Sequence, residues 1–590
     1  MSDFIFSKKS IPNGMLTKAL QSIYHQDSPQ VEEFHGQWGS LAVSKNLYNG
    51  FSPYESDRHI IIVIGGPVLC FCENDFLQTK ESSFTGTKYI YDRWLEGNVQ
   101  WDEDLSGPFA IFIIDKMNGE VLAVTDLLSF VPVYVFQENE NIMISTHVDA
   151  VATAANQLHE IDPISQVDFI LNGVITYPYT AYKNIRQVSP GSIHKLKQNS
   201  YQITSEYYWI PEEKCQYSTI DSAATDLRQA IETYIDRILK YTNNIAQFIS
   251  GGEDSRTLSA LLQSVPERNA IIFLDHMNRE GKIAERAAKA YGANFQLYTR
   301  DGLHYLKILP ACTDLVGSGA QYIHAHSFGF DKICGLDRYD AVFGGLFADA
   351  LLKGARIKKI RGSKRFPFIP HIKDRFYSPE NQLINDVFTP EALEEVRLRR
   401  KEHFERIQSF RQESAEEWFE LWPSSMNLNI PNLHTNRRLF RSYEPFMDHT
   451  IVKISAGVPQ KWKMNRRLFR VFAKPYLEPT KWLFHSEGRL PYFPWQMNMF
   501  VQFGFWVAQE FGRKIGIISG NQGPWVDWNA LLSRKEWKNT LEEYESGLSA
   551  LDSVLNKTEL EQVYNHKHLN YLQRINLMQV LYKLQQIDNY

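Results

Sequence analysis

The sequence predicts two parts. Residues 1–210 are β-rich, and residues 211–590 form an α/β part built on a parallel sheet and ending in helices. Three observations carry this expectation. Two apolar hairpin patterns with Asn-containing turns fall in the first part. From Ile245 onward, apolar strands alternate with amphipathic helices. The first of those strands runs straight into Ser250-Gly251-Gly252, a turn that opens a helix.

Taken in order, residues 60–64 are a short apolar run ending in Gly65-Gly66. Residues 109–115, the pair Asn118-Gly119 and residues 120–124 give strand, turn, strand, because Asn-Gly suits the turn that matches strand twist. Residues 131–136 and 142–145 give a second hairpin around 139–141. A helix is expected over 164–172, a turn at Ser189-Pro190-Gly191, and a last strand near Tyr207-Tyr208-Trp209. In the second part, 225–239 is an amphipathic helix, 245–249 a strand, and 257–263 a helix with Leu258, Leu261 and Leu262 on one face. Residues 270–275 form a second strand, 282–291 a helix closed by Gly292, and 295–298 a third strand. Such alternation argues for a parallel sheet that binds its ligand beyond the carboxyl ends of its strands. Helices are expected over 539–546, 557–564 and 571–586.

The turn at Ser250 carries the chemistry. Amide groups of a Gly-rich turn and of a helix's first turn point at one spot, and the helix dipole adds to them, so the corner attracts an anion. Gly251 and Gly252 let a phosphate approach the backbone, and Ser250 and Ser255 can donate to it. Asp254 would repel a bare phosphate; its place makes sense if it holds a Mg²⁺ that the phosphate shares. The expectation is a pyrophosphate cradle with a metal anchor.

Composition narrows the class. With 43% hydrophobic and 22% charged residues the chain is globular rather than disordered. A net charge of −5 gives no nucleic-acid signal. No run approaches the 18 or so apolar residues a membrane helix needs. The opening Met-Ser-Asp-Phe is not a secretory signal, so the expected location is cytoplasmic. Five scattered cysteines, Cys70-x-Cys72 among them, lack zinc spacing and suit free thiols in a reducing compartment.

The loop Ser250-Gly251-Gly252-Glu253-Asp254-Ser255 resembles the Ser-Gly-Gly-x-Asp-Ser loop of the ATP pyrophosphatases, and within them the asparagine synthetase-like family. That family splits ATP to AMP and pyrophosphate and activates a carboxylate as an acyl-adenylate. In the first part, Leu105 to Ala110, Thr125-Asp126 with Pro132-Val133-Tyr134, Val188 to Gly191 and Tyr208-Trp209 resemble the family's amino-terminal glutaminase domain. The resemblance implies an α+β N-terminal Ntn-type sandwich. It is followed by an α/β parallel-sheet ATP-pyrophosphatase domain with a helical C-terminal part. It implies ATP and Mg²⁺ as cofactors. Asp340 to Asp349 resembles the family's second acidic loop, which places Asp349 with Asp254 on the metal and Gly345 in the loop between. Lys353 opens a basic run to Arg365, placed so that Lys353 or Arg356 reaches the triphosphate. Tyr443 to Asp448 resembles the segment that closes the substrate side, and 465–473 its basic helix with Arg466, Arg467 and Arg470.

The departures from the family pattern shape the expected function. A working glutaminase of this type needs Cys as its first residue after Met removal; Ser2 stands there, and a hydroxyl is a far weaker nucleophile. Thr125 and Leu127 replace arginines, Leu346 replaces an acidic residue, Tyr443 replaces an Arg, and 485–489 offer Arg489 where a Lys is expected. Glutamine hydrolysis is therefore expected to be lost. The expected activity is an ATP-dependent amide-forming ligase closing a ring within its substrate, as Cys-less lasso peptide cyclases and β-lactam synthetases do. Its substrate would be a peptide or small molecule bearing both carboxylate and amine, with a leader peptide or protease as candidate partner. Glu444 and His326 are candidate bases, and Arg489 a candidate catalytic charge. The alternatives are amidation of a sugar acid or surface polysaccharide, and a degenerate nucleotide-binding scaffold.

Overall fold

The structure, a computed structural model, describes residues 3–25, 27–79, 83–198, 200–355, 357, 387–515, 521–557, 559–565 and 569–588. Ser2 and most of the basic run, Arg356 and 358–365, lie outside these residues.

The first part is a sandwich of two six-stranded sheets. One sheet runs, in spatial order, Ile185–Gln187, Tyr134–Glu138, Asn141–Ser145, Phe4–Ser7, Gly39–Ser44 and Val31–Gly36. The other runs Ile203–Tyr207, Ser192–Leu196, Val121–Thr125, Phe109–Asp115, His59–Gly65 and Tyr54–Glu55. Every pairing is antiparallel. Both expected hairpins form. Gly119 sits at φ +65° and Asn139 at φ +52°, conformations that Gly and Asn tolerate best.

Alternation along the strands decides which core each side chain joins. Phe4 and Phe6 point between the sheets and meet Phe112, the ring centres of Phe4 and Phe112 lying 4.6 Å apart. Ile5, between them, joins an outer core with Ala42 and Phe136. Helices Met15–Gln21, Val148–Ala154 and Pro163–Asn172 cover that outer face with Leu16, Leu20, Val151 and Ile170. Helix Thr85–Leu95 packs on the outward face of the second sheet, where the Tyr91 hydroxyl lies 2.9 Å from His59 Nδ1 and the Tyr91 ring meets Tyr54. Burying each large apolar side chain stabilises the fold by about 2–3 kcal/mol.

The second part holds a five-stranded sheet in the order Asn294–Thr299, Asn269–Leu274, Ile245–Phe248, Ala341–Phe343, Ser442–Tyr443. All four pairings are parallel. Connections leave the Ile245–Phe248 strand to one side and return on the other, so a crevice opens at its carboxyl end. Helix Glu253–Leu261 begins four residues earlier than its apolar pattern predicts. The polar pair Glu253-Asp254 fills its first turn, which a search for apolar periodicity passes over. Helix Arg279–Ala290 likewise starts early, capped by the Asn278 side chain on Gly281 N–H. The carboxyl-terminal helices include Lys535–Glu543, Leu560–Tyr564 and Tyr571–Asp588.

The two parts are joined by buried polar contacts. Asn576 on the last helix donates to the carbonyls of Phe169 and Ile170, each at 3.1 Å. Tyr48 donates to the Ser442 carbonyl at 3.0 Å, and Ser106 to Asp448 at 2.6 Å. Among the described residues no helix is long and apolar enough to cross a membrane. All five cysteines are free, and burial pushes the Cys70 and Cys72 thiols up to about 12.

Candidate functional site

The turn Ser250–Gly252 sits at the carboxyl end of the central strand, where the sheet's two halves diverge. Its polar groups are already arranged. Ser250 N–H donates to Ser255 Oγ at 3.0 Å, and Gly252 N–H to Ser250 Oγ at 3.1 Å. Gly251 N–H donates to the Glu280 carboxylate at 2.5 Å, a carboxylate oxygen standing where a phosphate oxygen would accept. A Cβ at Gly251 would lie 3.0 Å from the Glu280 carboxylate, so any side chain there would have to push Glu280 aside. Arg256, fully buried, ties the turn to the later chain. It donates to the carbonyls of Gly251, Leu483 and Phe484 at 2.9, 2.8 and 2.6 Å.

Glu253, buried in the first turn of the helix, gathers three cations. Arg466 lies 2.5 Å from its carboxylate, Arg489 3.3 Å and Lys353 3.4 Å. Burial alone would raise the Glu253 carboxyl, but Arg489, Arg466 and Lys353 hold it well below its ordinary range. Lys353, 5% exposed, reaches beyond Glu253 to both expected metal ligands. Its ammonium contacts Asp254 Oδ1 and lies 2.8 Å from Asp349 Oδ1. The two carboxylates thus meet at one nitrogen, as close together as a shared cation requires. Burial pulls the Lys353 ammonium down, yet Asp254, Asp349 and Glu253 outweigh it and keep the group cationic. Asp349 is held below its ordinary value, Lys353 and Arg466 overcoming burial.

Backbone strain is concentrated here. Phe347 sits at φ +69° just before the short helix Ala348–Leu352, which places Asp349 and Lys353 one turn apart. Asn465 and Arg466 sit at φ +53° and +60°. The expected helix over 465–473 therefore starts only at Arg467, and Arg466 is turned toward Glu253. Left-handed conformations cost bulky residues about 1–2 kcal/mol and persist where the surroundings demand them.

Several expected residues come together: Ser250, Gly251, Gly252, Asp254, Ser255, Asp349, Lys353 and Arg489. Gly345 packs under Asp254, where a Cβ would lie 3.2 Å from the Asp254 Cβ. Three assignments change. Glu444 is fully buried beneath the Gly344–Leu346 turn, accepting from Leu346 N–H at 3.0 Å and from Ser442 at 3.2 Å. Burial pushes it up to about 8, so it braces the loop and has no surface from which to take a substrate proton. His326 packs edge-on against Trp525 at 4.8 Å, and burial, with His324 and Arg300, pushes it down to about 3, too weak a base for the role. The expected divalent cation between Asp254 and Asp349 does not fit the residues as arranged, because the Lys353 ammonium holds that position. Among the described residues no group of three or more His, Cys, Asp or Glu side chains is set to hold a metal. Glu253, Arg256, Glu280 and Arg466 also belong to the site, although in the sequence Glu253 stands only as the variable position of the loop and Arg466 only as part of the basic segment.

Comparison with known proteins places this geometry. A glutamine amidotransferase domain profile matches residues 41–209, and an asparagine synthase profile matches residues 226–486, which include the Ser250–Ser255 turn, Asp349, Lys353 and Arg466 and stop short of Arg489. The chain belongs to the asparagine synthetase-like family. A curated relative, asparagine synthetase [glutamine-hydrolyzing] 3 of Bacillus subtilis (strain 168), is 22% identical over 193 residues. That match covers 32% of this chain and spans only 29% of the relative. Two solved structures align loosely at 10% identity, each over 50% of this chain. One is the allosteric regulatory enzyme of purine biosynthesis, with 80% of its chain covered and a TM-score of 0.24. The other is glutamine phosphoribosylpyrophosphate amidotransferase from B. subtilis, with 65% covered and a TM-score of 0.22. Likeness that loose says nothing of the ligands of this asparagine synthetase-like chain.

Proposed function

We propose that this protein is an ATP-dependent ligase that activates a carboxylate as an acyl-adenylate and forms an amide without hydrolysing glutamine. The observation that carries it is the convergence of Lys353, Arg466 and Arg489 on the first turn of helix Glu253–Leu261, beside the Ser250–Ser255 turn. Three cations, two hydroxyls and a helix N-terminus suit the β- and γ-phosphates of ATP. Gripping those two phosphates leaves the α-phosphate open to a substrate carboxylate. The same cations then stabilise the pyrophosphate as it leaves. Glu280 must give up the Gly251 N–H for a phosphate to take it.

We favour an amine carried by the substrate itself, so that the second step is intramolecular ring closure. Holding amine and acyl-adenylate together supplies much of the rate, and no residue need be added for it. A binding-only scaffold is the second reading. It is favoured by Glu280 and Lys353, which occupy the groups a magnesium nucleotide would use. Pyrophosphate release with ATP and candidate amino-acid or peptide substrates separates them. Substrate-dependent AMP and pyrophosphate support the ligase; ADP as product rules out the acyl-adenylate; nucleotide binding without turnover leaves the scaffold.

A further inference from the structure

The three carboxylates at the cradle, Glu253, Asp254 and Asp349, are matched by three basic side chains, Lys353, Arg466 and Arg489. Lys353 is the one that stands between Asp254 and Asp349. Its position is built rather than incidental. Asp349 and Lys353 face the same way across one helical turn, and Ala355 N–H closes back on the Asp349 carbonyl at 3.2 Å. Gly354 follows at φ +65°, and a Cβ there would lie 3.1 Å from the Lys463 carbonyl, so only glycine lets the chain turn here. The ammonium is capped from the other side by the Phe469 ring, whose centre is 4.7 Å away.

We propose that Lys353 is a tethered cation that takes the divalent-metal position between Asp254 and Asp349, so that the nucleotide-free protein excludes a metal ion there. An ammonium set against two carboxylates offsets their charge without the dehydration that Mg²⁺ resists. With Lys353 and Arg466 already beside the carboxylates, an added dication would meet both cations at close range. The inference concerns the ion arrangement alone. It stands or falls by metal binding, whereas the ligase reading stands or falls by pyrophosphate release.

The test uses the full-length protein and Mn²⁺ as probe, followed by electron paramagnetic resonance without nucleotide. Wild type is expected to leave the free Mn²⁺ signal undiminished at equimolar, sub-millimolar metal. Lys353→Met is expected to gain one bound Mn²⁺, at least about tenfold tighter than wild type. The gain should disappear in Lys353→Met combined with Asp349→Asn. One Mn²⁺ bound to wild type and lost in Asp254→Asn overturns the proposal, as does folded Lys353→Met with no gain. Should Lys353→Met fail to fold, the single variant Asp349→Asn decides by thermal unfolding without metal. A fall in Tm shows that Asp349 is paired with the ammonium. A rise shows carboxylates relieved of mutual repulsion, and the proposal fails.

Discussion

The Asp3 carboxylate accepts two hydrogen bonds from the Arg438 guanidinium, Nε to Oδ2 and Nη2 to Oδ1, each 2.7 Å long. Arg437 adds a third at 3.2 Å, and all three side chains are buried. The link joins the residue just before the first strand of the sandwich to helix Ile430–Leu439 of the second part. Burial alone would raise the Asp3 carboxyl, but the two arginines hold it well below its ordinary range. A bidentate pair of this kind fixes the relative position of the two parts as well as adding stability.

Removing one partner of a buried pair strands the other charge. Asp3→Ala is therefore expected to destabilise the protein by about 3–5 kcal/mol. Urea unfolding should show a lower midpoint for the variant than for wild type. A change within about 0.5 kcal/mol, the level of an ordinary surface substitution, would show that the pair contributes nothing net.

The same clamp bears on glutamine. Arg437 and Arg438 close around Asp3, next to the position where a glutaminase would carry its nucleophile. Purified protein is expected to release no glutamate from glutamine. Glutamate release that Ser2→Ala abolishes would reverse this expectation.

Arg466 separates backbone strain from binding. At φ +60° a glycine is less strained than an alanine, so Arg466→Gly should be more stable than Arg466→Ala by about 1 kcal/mol. Both lose the guanidinium beside Glu253, and both should weaken nucleotide binding by roughly tenfold or more, the effect of one charge-assisted bond. Thermal unfolding and calorimetric titration with ATP read the two effects separately. Equal stability of the two variants would mean that Arg466 leaves the left-handed region in solution.

Glu444 gives a pH dependence with a definite sign. Its folded value, about 8, lies above the ordinary value of 4.5, so the unfolded chain ionises first as pH rises. Its contribution to stability is full below about 4.5 and is lost progressively up to about 8. Glu444→Gln keeps an acceptor for Leu346 N–H and cannot ionise. Its stability relative to wild type should therefore improve between pH 5.5 and 8.5, by up to about 1.4 kcal/mol for each pH unit crossed. A difference that does not change with pH means that Glu444 is ionised in the folded protein.

Much of the fold was legible because it rests on local rules. Asn-Gly and Asn-rich turns between apolar runs announced the hairpins. Strand–helix alternation announced the parallel sheet, and Ser250-Gly251-Gly252 marked its ligand end. Helix starts were less legible, since Glu253-Asp254 and the cap at Asn278 are polar and carry no apolar period. The cradle's own loop was found by its glycines and serines.

The chain alone thus determined which residues form the turn and which strand presents it, because backbone geometry and side-chain period are written in neighbouring residues. It did not determine what Lys353, Arg466 or Glu444 do. Lys353 reads in sequence as the start of a basic run within reach of a triphosphate, and Arg466 as part of a basic helix. In the fold one ammonium bridges Asp254 and Asp349, while Arg466 turns through a left-handed kink to Glu253. Glu444 reads as a candidate base and is sealed under the Gly344–Leu346 turn. The decision lies with tertiary structure because the partner of each charge is far away along the chain, and burial sets the strength of the pairing.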